Sequence, residues 1–188
     1  MFLHGTEVVD RCVDFRKAGH FLMKAAKLGD IGSIERFLEM YPDLIEICNR
    51  NGWTALHFAA FHGHKKTAVF LLEKGANCNA QDQNGWTPLM CASYNGKNQT
   101  LHSIIDNCSN LDINCRDAIG TTALMWASQN GHLNAVKILL QIGNANIAVE
   151  DENGWTALAW AKARQRISVI GYLKKIQKMQ SRLNKQND

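Results

Sequence analysis

The chain has 188 residues, enough for one domain of ordinary size and too few for a pair of catalytic domains. Apolar residues make up 46% and charged residues 20%, with only 2 Pro, which excludes a collagen-like or wholly disordered chain. The net charge of +4 hides an asymmetry: residues 162–188 carry eight Lys and Arg against one Asp, which is +7, and residues 1–161 sum to −3.

Met1 to Glu7 show no cationic stretch leading into an apolar run, and no segment approaches 18 consecutive apolar residues. The expectation is a soluble intracellular protein, cytoplasmic or nuclear, without a secretion or membrane signal. After Thr6, the residues Val9, Cys12, Val13 and Phe15 fall at helical spacing, which predicts a short capping helix within residues 1–18.

From there the chain repeats itself. Gly52-Trp53-Thr54-Ala55-Leu56 recurs as Gly85-Trp86-Thr87-Pro88-Leu89, Gly120-Thr121-Thr122-Ala123-Leu124 and Gly154-Trp155-Thr156-Ala157-Leu158, at spacings of 33, 35 and 34. Each block continues into a second apolar stretch, such as Val136, Leu139 and Leu140 at i, i+3 and i+4, so each period predicts two short helices. Thr54, Thr87, Thr122 and Thr156 can accept hydrogen bonds from the free N–H groups of a first turn, and Pro88 suits a first helical position. Gly63, Gly96 and Gly131 stand between the two helices, where a left-handed residue lets the chain reverse. The Asn/Asp/Gly-rich stretches that follow, such as Gly75 to Gly85, predict turns or hairpin fingers.

These blocks resemble the ankyrin repeat. Its Asp-x-x-Gly-x-Thr-Pro-Leu-His pattern is matched by Asp82, Gly85, Thr87, Pro88 and Leu89, and its Gly-His-Leu-x-x-Val pattern by Gly131, His132, Leu133 and Val136. A degenerate copy runs from His20 through Ala25, Ala26, Gly29 and Asp30 to Phe37 and Leu38. The resemblance implies an all-α solenoid of helix-turn-helix pairs with hairpin fingers. About five repeats fall near 19–51, 52–84, 85–119, 120–153 and 154–176, followed by a basic tail at 177–188. In the first copy Lys24 replaces the usual core Leu; in the last, Gln165 and Lys174 replace the turn Gly and the final Leu, as expected where a terminal repeat lacks a neighbour. The linkers Asp106–Asn114 and Gly143–Asp151 are two and one residues longer than their counterpart, which predicts bulged or shifted fingers.

The family binds proteins on its concave face, and its variable contact positions map to Arg50, Asn51, Trp53, Phe61 and His62. The second set is Gln83, Asn84, Trp86, Tyr94 and Asn95, and the third is Ala118, Ile119, Thr121, Gln129 and Asn130. The fourth is Glu152, Asn153, Trp155, Ala163 and Arg164. Trp53, Trp86 and Trp155 share one finger position, where a ring either stiffens the finger row or anchors a partner. Trp126 and Trp160 occupy the family's core Leu position and are expected to be packing residues rather than partner contacts. Asn79 and Asn114 match the finger Asn that is a common substrate of an asparaginyl hydroxylase; the structural expectation is that each braces the backbone across its turn.

Nothing points to catalysis or a cofactor. The six Cys (Cys12, Cys48, Cys78, Cys91, Cys108 and Cys115) form no C-x-x-C, and the spacing predicts reduced thiols rather than disulfides or a metal site. His57, His62 and His64 lack a carboxylate or Cys to complete a four-ligand set, so no metal is expected. There is no phosphate-binding Gly motif and no nucleophile–base pattern. The expectation is a non-catalytic, monomeric adaptor or inhibitor that binds another protein. The alternatives are a bacterial or viral effector acting on a host protein, and a regulator whose basic end meets nucleic acid or an anionic membrane. The stripe Ile170, Leu173, Ile176, Met179 and Leu183, with Lys174, Lys175, Lys178, Arg182 and Lys185 outside it, predicts that the last helix runs on into an amphipathic tail, which is either a solvated cap helix or, in the second alternative, the contact with an anionic surface.

Overall fold

A computed structural model describes residues 15–187, so the capping helix expected around Val9, Cys12 and Val13 lies outside the described residues. Where the repeats begin, Thr54, Thr87, Thr122 and Thr156 hold extended backbone as helix caps. The hydroxyl oxygens of Thr87, Thr122 and Thr156 accept from the N–H of Met90, Met125 and Ala159 at 3.3, 3.4 and 3.4 Å. A lost cap of this kind costs about 1 kcal/mol, so these four residues help set where each first helix starts.

The helices are α1 (Phe15–Leu28), α2 (Ile31–Met40), α3 (Ala55–His62), α4 (Lys65–Glu73), α5 (Pro88–Tyr94) and α6 (Asn98–Asn107). They continue with α7 (Ala123–Asn130), α8 (Leu133–Gln141), α9 (Ala157–Ala163) and α10 (Ile167–Asn187), and a 3-10 turn spans Pro42–Leu44. The odd-numbered helices pack successively against one another as an inner layer, and α4, α6, α8 and α10 follow α2 as an outer layer. Among the described residues there is no strand. The architecture is the all-helical repeat solenoid that the resemblance implies.

Each pair buries one apolar seam. Leu56, Leu89 and Leu124 from the inner helices and Leu71, Leu101 and Leu139 from the outer ones are at most 2% exposed. Such burial is worth about 1.5–3 kcal/mol per side chain. Leu72 packs against the apolar clusters of both halves, so the core runs on from repeat to repeat. Ala59, Ala60, Ala92, Ala127 and Ala161 are fully buried, and their small side chains let neighbouring inner helices approach.

The turn between paired helices has a recurring design. Gly63 and Gly96 adopt φ of 84° and 60°, and a Cβ on either would fall within 2.7 Å of Lys97 Cδ or 2.6 Å of His132 Nδ1 from the following repeat. Glycine is therefore required there for two reasons, the left-handed backbone and the side chain seated above it. In the last pair Gln165 occupies the same position with φ of 55°.

Two expectations need correction. The extra linker residues do not displace the fingers: α6 is one residue longer than α4, and Asn144, at φ of 52°, closes the turn after α8 once Gly143 has been passed. The added length is absorbed at the helix ends, because each finger is locked by its own Asp, as described below. The thiols are not all free either. Cys78 and Cys108 form a disulfide, with Cα atoms 6.6 Å apart, while Cys48, Cys91 and Cys115 are unpaired. The pair joins the base of one finger to the longer linker one period on, so the two residues meet across repeats.

α10 passes residue 176 without a break, and Val169 and Leu173 anchor it while Met179 and Leu183 are exposed. No helix of the described residues is long and apolar enough to cross a membrane.

Candidate protein-interaction face

The fingers are built on a repeated carboxylate. Oδ1 of Asp82 accepts the N–H groups of Asn84 and Trp86, both at 2.8 Å. Asp117 does the same for Ile119 and Thr121, Asp151 for Asn153 and Trp155, and Asn49 substitutes for Asp in the first finger, holding Asn51 and Trp53. Adjacent fingers are then joined by single backbone bonds, Gln83 N–H to Asn51 O, Ala118 N–H to Asn84 O and Glu152 N–H to Ile119 O.

The second oxygen of each Asp takes a tryptophan indole. Trp53 Nε1 donates to Asp82 Oδ2 across the repeat boundary at 2.8 Å, whereas Trp126 and Trp160 donate within their own repeats to Asp117 and Asp151 at 3.0 and 2.9 Å. The third repeat has Cys91 where Trp126 and Trp160 stand, so Asp82 finds its indole in the preceding finger. All three carboxylates are buried. Burial raises the pKa of Asp117, and the N–H groups of Thr121 and Ile119 and the Trp126 indole oppose it. Hydrogen bonds to a charged group in such a site are the strong ones.

Trp126 and Trp160 are packing residues at the edge of the core, against which both rest. Both are half-buried on the face shared by inner helices and fingers, because an indole N–H needs an acceptor and the finger Asp provides it. Trp126 packs against Trp86 at 4.7 Å and Tyr94 at 5.5 Å, and Trp86 meets Tyr94 at 5.3 Å. Trp53 similarly meets Phe58 and Phe61 at 5.1 and 5.3 Å, and Trp155 meets Trp160 at 5.1 Å. Thr121 must be removed from the contact positions: it is 1% exposed, lying in the finger slot beside which Trp126 supplies the ring instead.

The other mapped positions do share this face. Arg50, Asn51, Gln83, Asn84, Ala118, Ile119, Glu152, Asn153 and Trp155 are exposed on the fingers. Phe61, His62, Tyr94, Asn95, Gln129, Asn130, Ala163 and Arg164 end the inner helices, with Tyr94, Ala163 and Arg164 exposed and the rest half-buried. Some also brace the solenoid: Asn130 Nδ2 donates to Tyr94 O at 3.1 Å, and Gln129 O accepts from Arg166 Nε at 3.0 Å. Asn79 and Asn114 reach further than their own turns. Asn79 bonds Asn110 O and the N–H of Asp112, and Asn114 accepts the N–H of Asn146, so each ties its finger base to the next.

His57, His64 and His132 brace one repeat against another. His57 is fully buried; its Nδ1 accepts the Thr54 N–H at 3.2 Å, which leaves Nε2 as the donor to Trp86 O at 2.9 Å. Burial lowers its pKa, consistent with a neutral ring that spans two repeats. His64 reaches back to Lys27 O at 2.8 Å and His132 to Tyr94 O at 3.0 Å. Among the described residues no three His, Cys, Asp or Glu side chains gather in a metal-binding arrangement.

One feature of the face lies outside the mapped positions. His20, Met23, Lys24 and Lys27 from one side of α1, with Asn49 and Phe58, line a cleft of about 380 Å³. The signal was the spacing of these α1 residues at three and four, obscured because the first repeat is degenerate and Lys24 reads there as a terminal substitution.

A family model described as ankyrin repeats (3 copies) matches residues 22–117 and 94–187. Over 123 residues the chain is 31% identical to the putative ankyrin repeat protein YahD of Escherichia coli, covering 65% of this chain and 60% of that protein. It is 30% identical over 115 residues to a putative ankyrin repeat protein of Rickettsia felis, and 34% identical over 97 residues to the mouse protein fem-1 homolog A-like. The shared segments cover 61% and 52% of this chain, but only 38% and 14% of those two proteins.

Proposed function

We propose that this chain, which belongs to the ankyrin-repeat family, is a non-catalytic module that binds another protein through the face formed by its fingers and inner helices. Ankyrin repeats are generally protein–protein interaction modules, and the observation that carries the reading here is the row of rings along this face. Trp53 with Phe61, Trp86 with Tyr94 and Trp126, and Trp155 with Trp160 leave aromatic surface half-exposed on elements made rigid by buried Asp residues. Rigid aromatic anchors are the residues that dominate binding energy at interfaces, each costing about 2 kcal/mol or more when truncated. In this reading the chain is a monomeric adaptor or inhibitor, and Asn79 and Asn114 serve the finger ladder rather than act as modification sites.

A second reading is favoured by α10. Its exposed Lys174, Lys175, Lys178 and Arg182 accompany Met179 and Leu183, which suits an added contact with an anionic surface.

Trp86 and Trp155 suit the test, because neither donates its indole N–H to a described residue. Affinity capture with the wild type and with Trp86→Ala/Trp155→Ala, matched for helicity, should lose the same partner from the variant alone. Retention of every partner by a folded variant would place the binding surface elsewhere.

A further inference from the structure

The inner helices of this face are one-sided in charge, although the last finger exposes Glu152. The inner helices α3, α5, α7 and α9 and the described part of α1 contain no Asp or Glu, whereas the outer helices carry Glu35, Glu39, Glu73 and Asp106. The buried carboxylates Asp82, Asp117 and Asp151 are spent on backbone and indole N–H groups. Asp30, at the turn after α1, is committed to the N–H and hydroxyl of Ser33.

Against this lie cations, Lys24 and Lys27 exposed and Lys97 half-buried. Lys24 and Lys27 project from the same side of α1, and no ion pair forms at either among the described residues. Lys97 lies over the Gly63 turn, beside His62 at the end of α3. The pKa of His62 is lowered, first by burial and then by the nearby charges of Lys27, His64 and Lys97, which favours its neutral ring beside the two lysines.

The cleft between α1 and the start of the second repeat combines both properties. Its floor is Met23, 7% exposed, and the ring of Phe58, which packs on Trp53; its rim is His20, Lys24 and Lys27. A cavity with an apolar floor and a cationic rim suits an apolar side chain flanked by anions, because burying the first leaves the second beside uncompensated positive charge.

We propose that the face takes an acidic peptide segment of a partner protein, with one large apolar side chain seated on Met23 and Phe58 and its anions along Lys24, Lys27 and Lys97. The inference rests on the reading of this face as the binding surface and adds the chemistry of what binds. The anions are carboxylates or phosphates, which have the same attraction to this rim.

The test is selection of displayed random 12-residue peptides on the immobilised full chain at about 50 mM salt, where surface electrostatics are least screened. Enriched sequences are expected to carry several Asp or Glu around one Leu, Ile, Phe or Met. Synthetic copies should bind about tenfold or more weakly to Lys24→Glu/Lys27→Glu, a change at exposed positions that circular dichroism can check for folding. Affinity should also fall as salt rises to about 200 mM. Copies with phosphoserine in place of Glu assign the anion: tighter binding names phosphate, equal or weaker binding names carboxylate, and both support the proposal. Neutral or basic enriched sequences that are lost with Trp86→Ala/Trp155→Ala overturn the acidic peptide and leave the face intact. Peptides indifferent to both double variants overturn the face as well. No enrichment over the bare support overturns the proposal, as does self-association of the chain that Lys24→Glu/Lys27→Glu abolishes, which would assign the cleft to a second copy.

Discussion

The indole Nε1 of Trp53 lies 2.8 Å from Oδ2 of Asp82 in the next finger, so a ring on the binding face also satisfies a buried carboxylate one repeat away. Trp53→Phe keeps the ring contacts with Phe58 and Phe61 and removes only the donor. Loss of a hydrogen bond to a charged group predicts destabilisation of about 1.5–3 kcal/mol, measured by denaturant unfolding. A change within about 0.5 kcal/mol, the usual scatter of a surface substitution, would show that the bond adds nothing.

Protonation of His57 should unfold the chain from within. Its pKa is depressed below the ordinary 6.5 by burial, so the unfolded chain takes up this proton at a higher pH than the folded chain. Stability is then full above about pH 6.5 and declines as pH falls below that value, by at most about 1.4 kcal/mol per unit for one proton. His57→Gln should flatten the pH dependence of the melting temperature between pH 6.5 and 5. An unchanged slope would mean that other groups govern acid sensitivity.

At the last helix turn, Gln165 holds a left-handed backbone that glycine fills at Gly63 and Gly96. Gln165→Gly should stabilise by about 1 kcal/mol, since the left-handed conformation costs other residues about that much. Gly96→Ala should destabilise, because its Cβ would come within 2.6 Å of His132 Nδ1. Equal effects of the two substitutions on the melting temperature would contradict this assignment.

Closing the 30-residue separation between Cys78 and Cys108 should stabilise by about 3.6 kcal/mol in the chain-entropy treatment. In a glutathione buffer poised to oxidise, peptide mapping should recover the 78–108 crosslink, and dithiothreitol should lower the melting temperature. Cys78→Ser/Cys108→Ser should abolish that response. A wild type indifferent to dithiothreitol would show that the pair stays reduced.

Features set by local rules could be read from the chain directly. The four capping Thr residues, Pro88 and the turn glycines act within a few residues of themselves, and each stands where its spacing predicts. What escaped was contact between periods or competition for one slot. Cys78 and Cys108 meet only because one longer linker passes the finger base of the repeat before it. Trp126 sits at an apolar position by pattern, but its N–H draws it to Asp117, nine residues earlier, and onto the face where Thr121 has no ring. The cationic cleft escaped because α1 departs most from the repeat pattern, so Lys24 and Lys27 had no counterpart with which to compare them.

The most direct measurement places a photo-crosslinking amino acid at Tyr94, on the aromatic face, and separately at Glu73, exposed on the outer helix α4. Each protein is irradiated in cell extract and the crosslinked products are compared. A discrete partner adduct from position 94 and none from position 73 is the predicted result. The same adduct from position 73 alone would contradict binding through the fingers and inner helices.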